Sequence, residues 1–206
     1  MAFHPTTSTT TYLITGANRG IGRGLADILL RRPNTTLIAL VRDPSHPTSL
    51  SLQSNPSGAP GTRVIMLPYE GTSPTAALSA ITTLQTQHAI SRIDVVIANA
   101  GAILSRGPVA TLTPEEIAAH MAINCTAPVL LLQATLPLLR EARKAKEAQE
   151  GYEAKFIAVS SAIGSTGMID RHLHASTPAY GASKAAMNHV MRKAFFEVGE
   201  DVDIEM

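Results

Sequence analysis

A chain of 206 residues is long enough for one α/β domain with a large core and too short for two domains of ordinary size. Charged residues make up 16% and apolar residues 45%, with a formal net charge of +1. No global field therefore favours nucleic acid or an anionic membrane surface, and the composition points to a small-molecule partner.

The Thr-rich start, Met1 to Thr11, lacks the basic region and apolar run of a secretory signal. Residues 1–10 are expected to be a flexible tail ahead of a single domain over 11–206. Apolar, β-rich runs follow at Tyr12-Leu13-Ile14, Leu37 to Val41, Val64 to Leu67, Val95 to Ala98 and Phe156 to Val159, separated by helical segments. Near-continuous apolar strands alternating with helices predict a parallel sheet covered on both faces, a doubly wound α/β fold. The segment Pro44 to Gly61, rich in Ser, Pro, Asn and Gly, reads as a surface loop or a poorly formed helix. Ser73-Pro74 and Thr113-Pro114 each offer a capping oxygen before a proline at the first helical position. Glu116 completes a capping box with Thr113.

The longest apolar run, Ala127 to Leu139, is broken by Pro128, Gln133 and Pro137 and is shorter than the roughly 20 residues a bilayer requires, so no membrane span is expected. Cys125, the only cysteine, lies in the apolar stretch Ile123 to Ala127. It can form no internal disulfide, reads as a buried thiol and fits a reducing, cytoplasmic compartment. Arg140 to Lys155, with Arg143/Glu147 and Lys146/Glu150 one turn apart, reads as a solvated helix end and its loop.

Four stretches carry chemistry. The first strand runs into Thr15-Gly16-Ala17-Asn18-Arg19-Gly20-Ile21-Gly22 and then into helical spacing. A glycine turn there lets backbone approach a pyrophosphate, with a helix N-terminus behind it, although a merely structural turn would look similar. Arg42, at the end of the second strand, stands where an arginine accommodates the 2′-phosphate of NADP. With Arg19 it could clamp that phosphate, so NADP(H) is expected; the neighbouring Asp43 leaves NAD(H) open.

Tyr180 and Lys184 lie at i and i+4 on one helix face. The nearby cation favours the phenolate and makes the tyrosine usable as a general acid, although such a pair taken alone reads more readily as a simple surface contact. The strand Phe156 to Val159 ends in Ser160-Ser161, at the sheet edge where such folds bind ligands. Ser161, with Ser160 as its alternate, could orient a carbonyl oxygen. The fourth strand ends in Asn99-Ala100-Gly101, where the asparagine can brace strands or touch a cofactor ribose, and Asn124 is an unfavourable residue for a helix interior.

Taken in order, Thr15-Gly16-x-x-x-Gly20-Ile21-Gly22, Asn99-Ala100-Gly101, Asn124, Ser161 and Tyr180-x-x-x-Lys184 resemble the motif set of the short-chain dehydrogenase/reductase family, from Tyr12 to the end of the chain. The glycine turn with Arg42 is most similar to the carbonyl-reductase branch, including fungal ketoreductases of polyketide pathways. The resemblance implies NADPH-dependent reduction of a ketone or aldehyde. Tyr180 would protonate the carbonyl oxygen, Ser161 orient it, Lys184 bind the nicotinamide ribose, and Asn124 support a water-linked proton relay. It also implies a homodimer or homotetramer joined through the helices of Thr113–Leu139 and Ala179–Val198.

Three departures from that pattern stand out. Glu70, in Tyr69-Glu70-Gly71-Thr72, occupies the place of an aspartate near the adenine. The interval between Ser161 and Tyr180 is extended by Met168 to His174, a candidate part of a lid; its His172 and His174 lack a third ligand, and no metal is expected. The chain stops at Val202 to Met206, at the expected sixth strand. The resemblance implies a Pro-Gly segment, a substrate-covering helix and a seventh strand beyond it. A catalytically impaired nucleotide-binding or regulatory protein of the same fold is the alternative expectation.

Overall fold

The apolar runs become strands because β-branched and aliphatic side chains suit a pleated surface buried on both faces. The computed structural model describes residues 9–54, 58–146, 152–172 and 174–206. Glu147, Glu150, Leu173, residues 55–57 of the Pro44–Gly61 segment and the first eight residues of the expected tail lie outside the described residues. The strands are β1 (Thr10–Thr15), β2 (Thr35–Val41), β3 (Arg63–Pro68), β4 (Val95–Ala98), β5 (Lys155–Ala158) and β6 (Asp203–Glu205). They form one sheet in the order β3-β2-β1-β4-β5-β6, and every neighbouring pair is parallel. The expected doubly wound α/β fold is present.

The strand order reverses between β1 and β4, which places a ligand crevice at their carboxyl ends. Side-chain alternation divides the core. Leu13, Ile38 and Leu40 face one cluster with Leu84, Leu131, Leu139 and Met187. Ile14, Leu37 and Ala39 face the other, with Ala26, Leu29 and Leu52. The first cluster is covered by α3 (Ala76–His88), α5 (Ala127–Ala145) and α6 (Pro178–Val198), and the second by α1 (Gly20–Leu29) and α2 (Pro47–Gln53).

Several local expectations change. Thr10 and Thr11 belong to β1; the Asp94 carboxylate accepts the Thr11 amide at 2.6 Å and draws the strand's start into the sheet. Pro47–Gln53 is a helix, with His46 Nδ1 accepting the Thr48 amide and Leu52 fully buried. Ser73-Pro74 lies in a turn instead of at a helix start: the Ser73 amide donates to the Glu70 carbonyl, and α3 begins at Ala76 after Thr75. The Thr113–Glu116 capping box forms as expected and opens α4 (Pro114–Met121).

Helix α4 continues through a π turn, Ala122–Thr126, into α5, giving a helical run of 32 residues from Pro114 to Ala145. Pro128 lacks the N–H that would bond the Asn124 carbonyl, and the Ala127 amide reaches back to Ala122 instead. By length and composition this run could cross a bilayer, but half of its apolar window is buried inside the domain; it is the core helix under the sheet.

The basic stretch from Arg140 is not wholly solvated either. Leu139 and Ala142 are fully buried, and Lys146 forms an ion pair with Asp94 at 2.6 Å, both side chains nearly inaccessible to solvent. An amphipathic cation whose stem covers the core explains why a charge-dense run can point inward.

Candidate active site

The glycine turn is built from constraints that side chains could not meet. Gly16 and Gly20 adopt φ of +68° and +56°, a left-handed conformation that glycine adopts without Cβ strain. A Cβ on Gly22 would lie 2.4 Å from the Gly16 carbonyl oxygen and 2.5 Å from Asn99 Nδ2, so the turn and the fourth strand close on each other only with glycine there. Asn99 Nδ2 donates to the Thr15 carbonyl at 2.9 Å, and the Thr15 hydroxyl accepts the Asn99 and Ala100 amides at 3.0 and 2.9 Å. Asn99 thus braces the ends of β1 and β4, as one of its two expected roles required. Asn18 donates to Thr48 Oγ1 and Ser49 Oγ at 3.0 and 3.1 Å, docking the turn onto α2.

Arg19 is the N-cap of α1 without a side-chain cap bond, and no acidic residue occupies the first turn. First-turn amides without a partner among the described residues, and the positive end of the helix dipole, therefore lie beside Gly20 and the exposed Ile21. Arg19 and Arg42 are both exposed. Asp43 turns its carboxylate onto Ser45, accepting from the amide at 2.8 Å and the hydroxyl at 2.6 Å; these bonds hold its pKa below the usual carboxylate value. Glu70 accepts the Thr72 hydroxyl and amide at 2.9 and 3.3 Å. Burial pushes the adjoining Tyr69 phenol up to about 12.

A second group of residues converges beyond β4 and β5. Asn124 is fully buried. Its Oδ1 accepts the Ala102 amide at 2.9 Å, and its Nδ2 donates to the Ala102 carbonyl at 2.9 Å and to Ser183 Oγ at 3.1 Å. Ser183 in turn donates to the Tyr180 carbonyl at 2.7 Å. Lys184, 4% exposed, donates from Nζ to the Val159 carbonyl at 2.6 Å; no carboxylate pairs with it among the described residues. Burial lowers its pKa. A Cβ on Gly101 would lie 2.9 Å from Asn124 Oδ1 and 3.6 Å from Lys184 Nζ, so Gly101, Asn124 and Lys184 adjoin one another.

The two serines after β5 separate. Ser160 donates to Asn188 Oδ1 at 2.5 Å. Among the described residues Ser161 accepts only the Ile163 amide, at 3.3 Å, and caps the short 3-10 turn Ala162–Gly164. That turn sits on α6: a Cβ on Gly164 would lie 2.8 Å from the Lys184 Cβ, and one on Gly181 would lie 3.1 Å from the Ile163 carbonyl oxygen. The backbone fit carries Ser161 to the Tyr180–Lys184 turn. Asn124, Ser161, Tyr180 and Lys184 are therefore gathered at one sheet end, while Arg19, Arg42 and Glu70 stand exposed on loops at that edge.

The extension after Ser161 forms a 3-10 helix, Thr166–His172. Among the described residues no group of His, Cys, Asp and Glu is placed to hold a metal. Ser183, the Thr15 hydroxyl and the fully buried His120 were not singled out from sequence; only Thr15, a strand-end hydroxyl like Ser161, carried a signal that could have identified it.

Two fungal proteins bear on this geometry. The chain is 38% identical over 188 residues to norsolorinic acid ketoreductase of Aspergillus parasiticus, covering 91% of this chain and 66% of that protein. It is 40% identical over 188 residues to norsolorinic acid ketoreductase nor1 of Dothistroma septosporum, covering 91% and 67%. The chain thus spans about two thirds of the length of these relatives. Among solved structures, the NADPH-bound carbonyl reductase from chicken fatty liver superposes with a TM-score of 0.81 at 28% identity, covering 97% of this chain and 77% of that one. The short chain dehydrogenase model matches residues 10–206, and on that match, with the parallel sheet, the chain belongs to the short chain dehydrogenase family.

Proposed function

We propose that this chain carries the cofactor-binding and catalytic parts of an NADPH-dependent reductase of ketones or aldehydes. The observation that carries the reading is Lys184: a buried cation with no countercharge among the described residues, one helical turn from Tyr180, with the 3-10 turn that follows Ser161 packed against the same helix. Leaving such a charge unpaired is costly, and sites that need chemistry are where proteins keep it.

The residues present fit a nicotinamide dinucleotide. The cradle formed by Gly16, Gly20 and Gly22 has no room for Cβ at Gly22 and open space beside Gly20, as close backbone approach to a pyrophosphate requires. Asn18, Arg19, Ile21, Asn99, Ala100 and Gly101 border it, and Glu70 would border the adenine. Arg19 and Arg42, exposed and without an ion pair among the described residues, would hold the 2′-phosphate. With Asp43 occupied by Ser45, the second strand's end favours NADP(H) over NAD(H). When bound, the nicotinamide supplies hydride to the carbonyl carbon. Tyr180 donates its hydroxyl proton to the carbonyl oxygen, which completes the alcohol. Ser161 donates a hydrogen bond that holds that oxygen beside Tyr180. Lys184 stabilises the phenolate that remains and would hold the cofactor ribose, and the Asn124 backbone carbonyl, left without its usual helical partner by Pro128, would support a water-linked path that returns the proton.

The two fungal ketoreductases support a ketone substrate, and the carbonyl-reductase resemblance of the glycine turn adds a setting in polyketide-type secondary metabolism to the proposal. The buried Cys125, whose thiol burial pushes up, suits the cytoplasm. Val190 and Phe196, exposed on α6, suit association into a homodimer or homotetramer. The test is titration with NADPH and NADH, followed by ketone reduction. Tyr180→Phe is expected to lower turnover by about 10²–10⁴-fold, the usual contribution of a positioned general acid, with NADPH affinity nearly unchanged. Normal ketone reduction by that variant would remove Tyr180 from the reaction.

A further inference from the structure

The segment that leaves the active site after Gly101 has no regular secondary structure from Ala102 to Pro108, yet it is pinned to one face of the helical run that begins at Pro114. Two side chains one turn apart hold it. Asn124 takes both the amide and the carbonyl of Ala102. His120 Nε2 accepts the Leu104 amide at 2.9 Å. Gly107 then donates to the Ser176 carbonyl at 2.9 Å, just ahead of α6.

His120 is the member whose chemistry is most demanding. It is fully buried. Nδ1 lies 2.7 Å from the Glu116 carbonyl oxygen, which can only accept, while Nε2 faces the Leu104 N–H, which can only donate. Both bonds form together only in the neutral ring carrying its proton on Nδ1. The segment so held presents Ile103 and Leu104, 41% and 55% exposed, next to the glycine that adjoins Lys184.

We propose that His120, in its Nδ1–H tautomer, is a positioning residue that fixes Ile103 and Leu104 as an apolar wall at the substrate entrance, selecting apolar carbonyl compounds; this rests on the reductase reading above. It touches neither cofactor nor reacting atoms and acts through the Leu104 backbone.

The first test uses the unaltered chain, with ¹⁵N-labelled histidine. The ring spectrum is expected to show His120 protonated on Nδ1, with the Leu104 amide slow to exchange; an Nε2–H ring overturns the inference. The second compares His120→Leu, which keeps the volume but removes the acceptor, with His120→Gln, whose side-chain oxygen can reach the Leu104 amide. His120→Leu is expected to raise KM for 1-acetonaphthone by about tenfold, as for a buried donor left unsatisfied. Its kcat should stay within about twofold and its NADPH affinity should be unchanged, the pattern of lost ground-state positioning. His120→Gln is expected to restore KM and the slow Leu104 exchange. An unchanged KM in His120→Leu, or equal losses in both variants, overturns the inference. An unaltered chain that binds NADPH but reduces no ketone defeats the reductase reading instead, and the ring tautomer and Leu104 exchange still decide the role of His120.

Discussion

Two lysines are buried in this molecule, at opposite ends of the sheet, and they are treated differently. At the amino end Lys146 meets the Asp94 carboxylate at 2.6 Å and stands over the Tyr152 ring at 4.8 Å. The same carboxylate accepts the Thr11 amide and the Tyr152 hydroxyl at 2.6 and 2.7 Å, and burial with this acidic neighbour pushes the Tyr152 phenol upward. At the carboxyl end Lys184 has, among the described residues, a single carbonyl for a partner and a pKa lowered by burial. The first lysine closes a satisfied network that ties β1, β4 and the end of α5 together. The second is left with donor capacity to spare, and that spare capacity is what a site for an incoming ligand needs.

The contrast can be broken most directly at Lys184. Lys184→Met removes the cation beside Tyr180 and is expected to lower ketone turnover by about 10²–10⁴-fold, the range for disabling a general acid. It also removes an unpaired buried charge, so thermal unfolding should show a chain at least as stable as the original. The sign of the pH dependence follows. With its pKa lowered, the folded chain releases the Lys184 proton at a pH where the unfolded chain still holds it, so stability rises with pH through the window below the ordinary lysine value. Lys184→Met should lose that rise; a retained slope would place it on another group.

At the other end the expected effect is on stability alone. Lys146→Met strands a buried Asp94 and should cost about 3–5 kcal/mol, as breaking one side of a buried pair does. Denaturant unfolding would register it, while NADPH affinity of the folded protein stays the same. A loss of cofactor affinity equal to the loss of stability would mean that the two ends are coupled. The smallest effect belongs to the loop cations. Arg42→Asp should weaken NADPH relative to NADH by an amount corresponding to about 1.5–3 kcal/mol, the strength of hydrogen bonds to a charged group. An unchanged preference would take Arg42 out of the phosphate site.

Much of the geometry at the carboxyl end of the sheet was legible in the sequence because its signals are local. Tyr180 and Lys184 are one helical turn apart, the glycine turn is a run of eight residues, and Ser161 ends an apolar strand. The structural end was misread for the opposite reason. Lys146 lies in a charge-dense stretch that looks solvated until Asp94, far away in the chain, is placed beside it. Ser73-Pro74 carried a good helix-start pattern, but the Glu70–Ser73 turn took the chain first. His120 gave no sign at all, since its partner is a backbone amide in a loop.

From its own periodicity and spacing, then, the sequence determined the parallel α/β order and the place of the glycine turn between β1 and α1, because each of these depends on neighbours within a turn or a strand. Only the tertiary structure decided which serine after β5 stays available, how a π turn aims Asn124 at Ala102 and Ser183, and which buried lysine finds a carboxylate. Those outcomes depend on the sheet order, which brings distant segments together at its two ends, and on the requirement that every polar group buried there find a partner or be kept for a ligand.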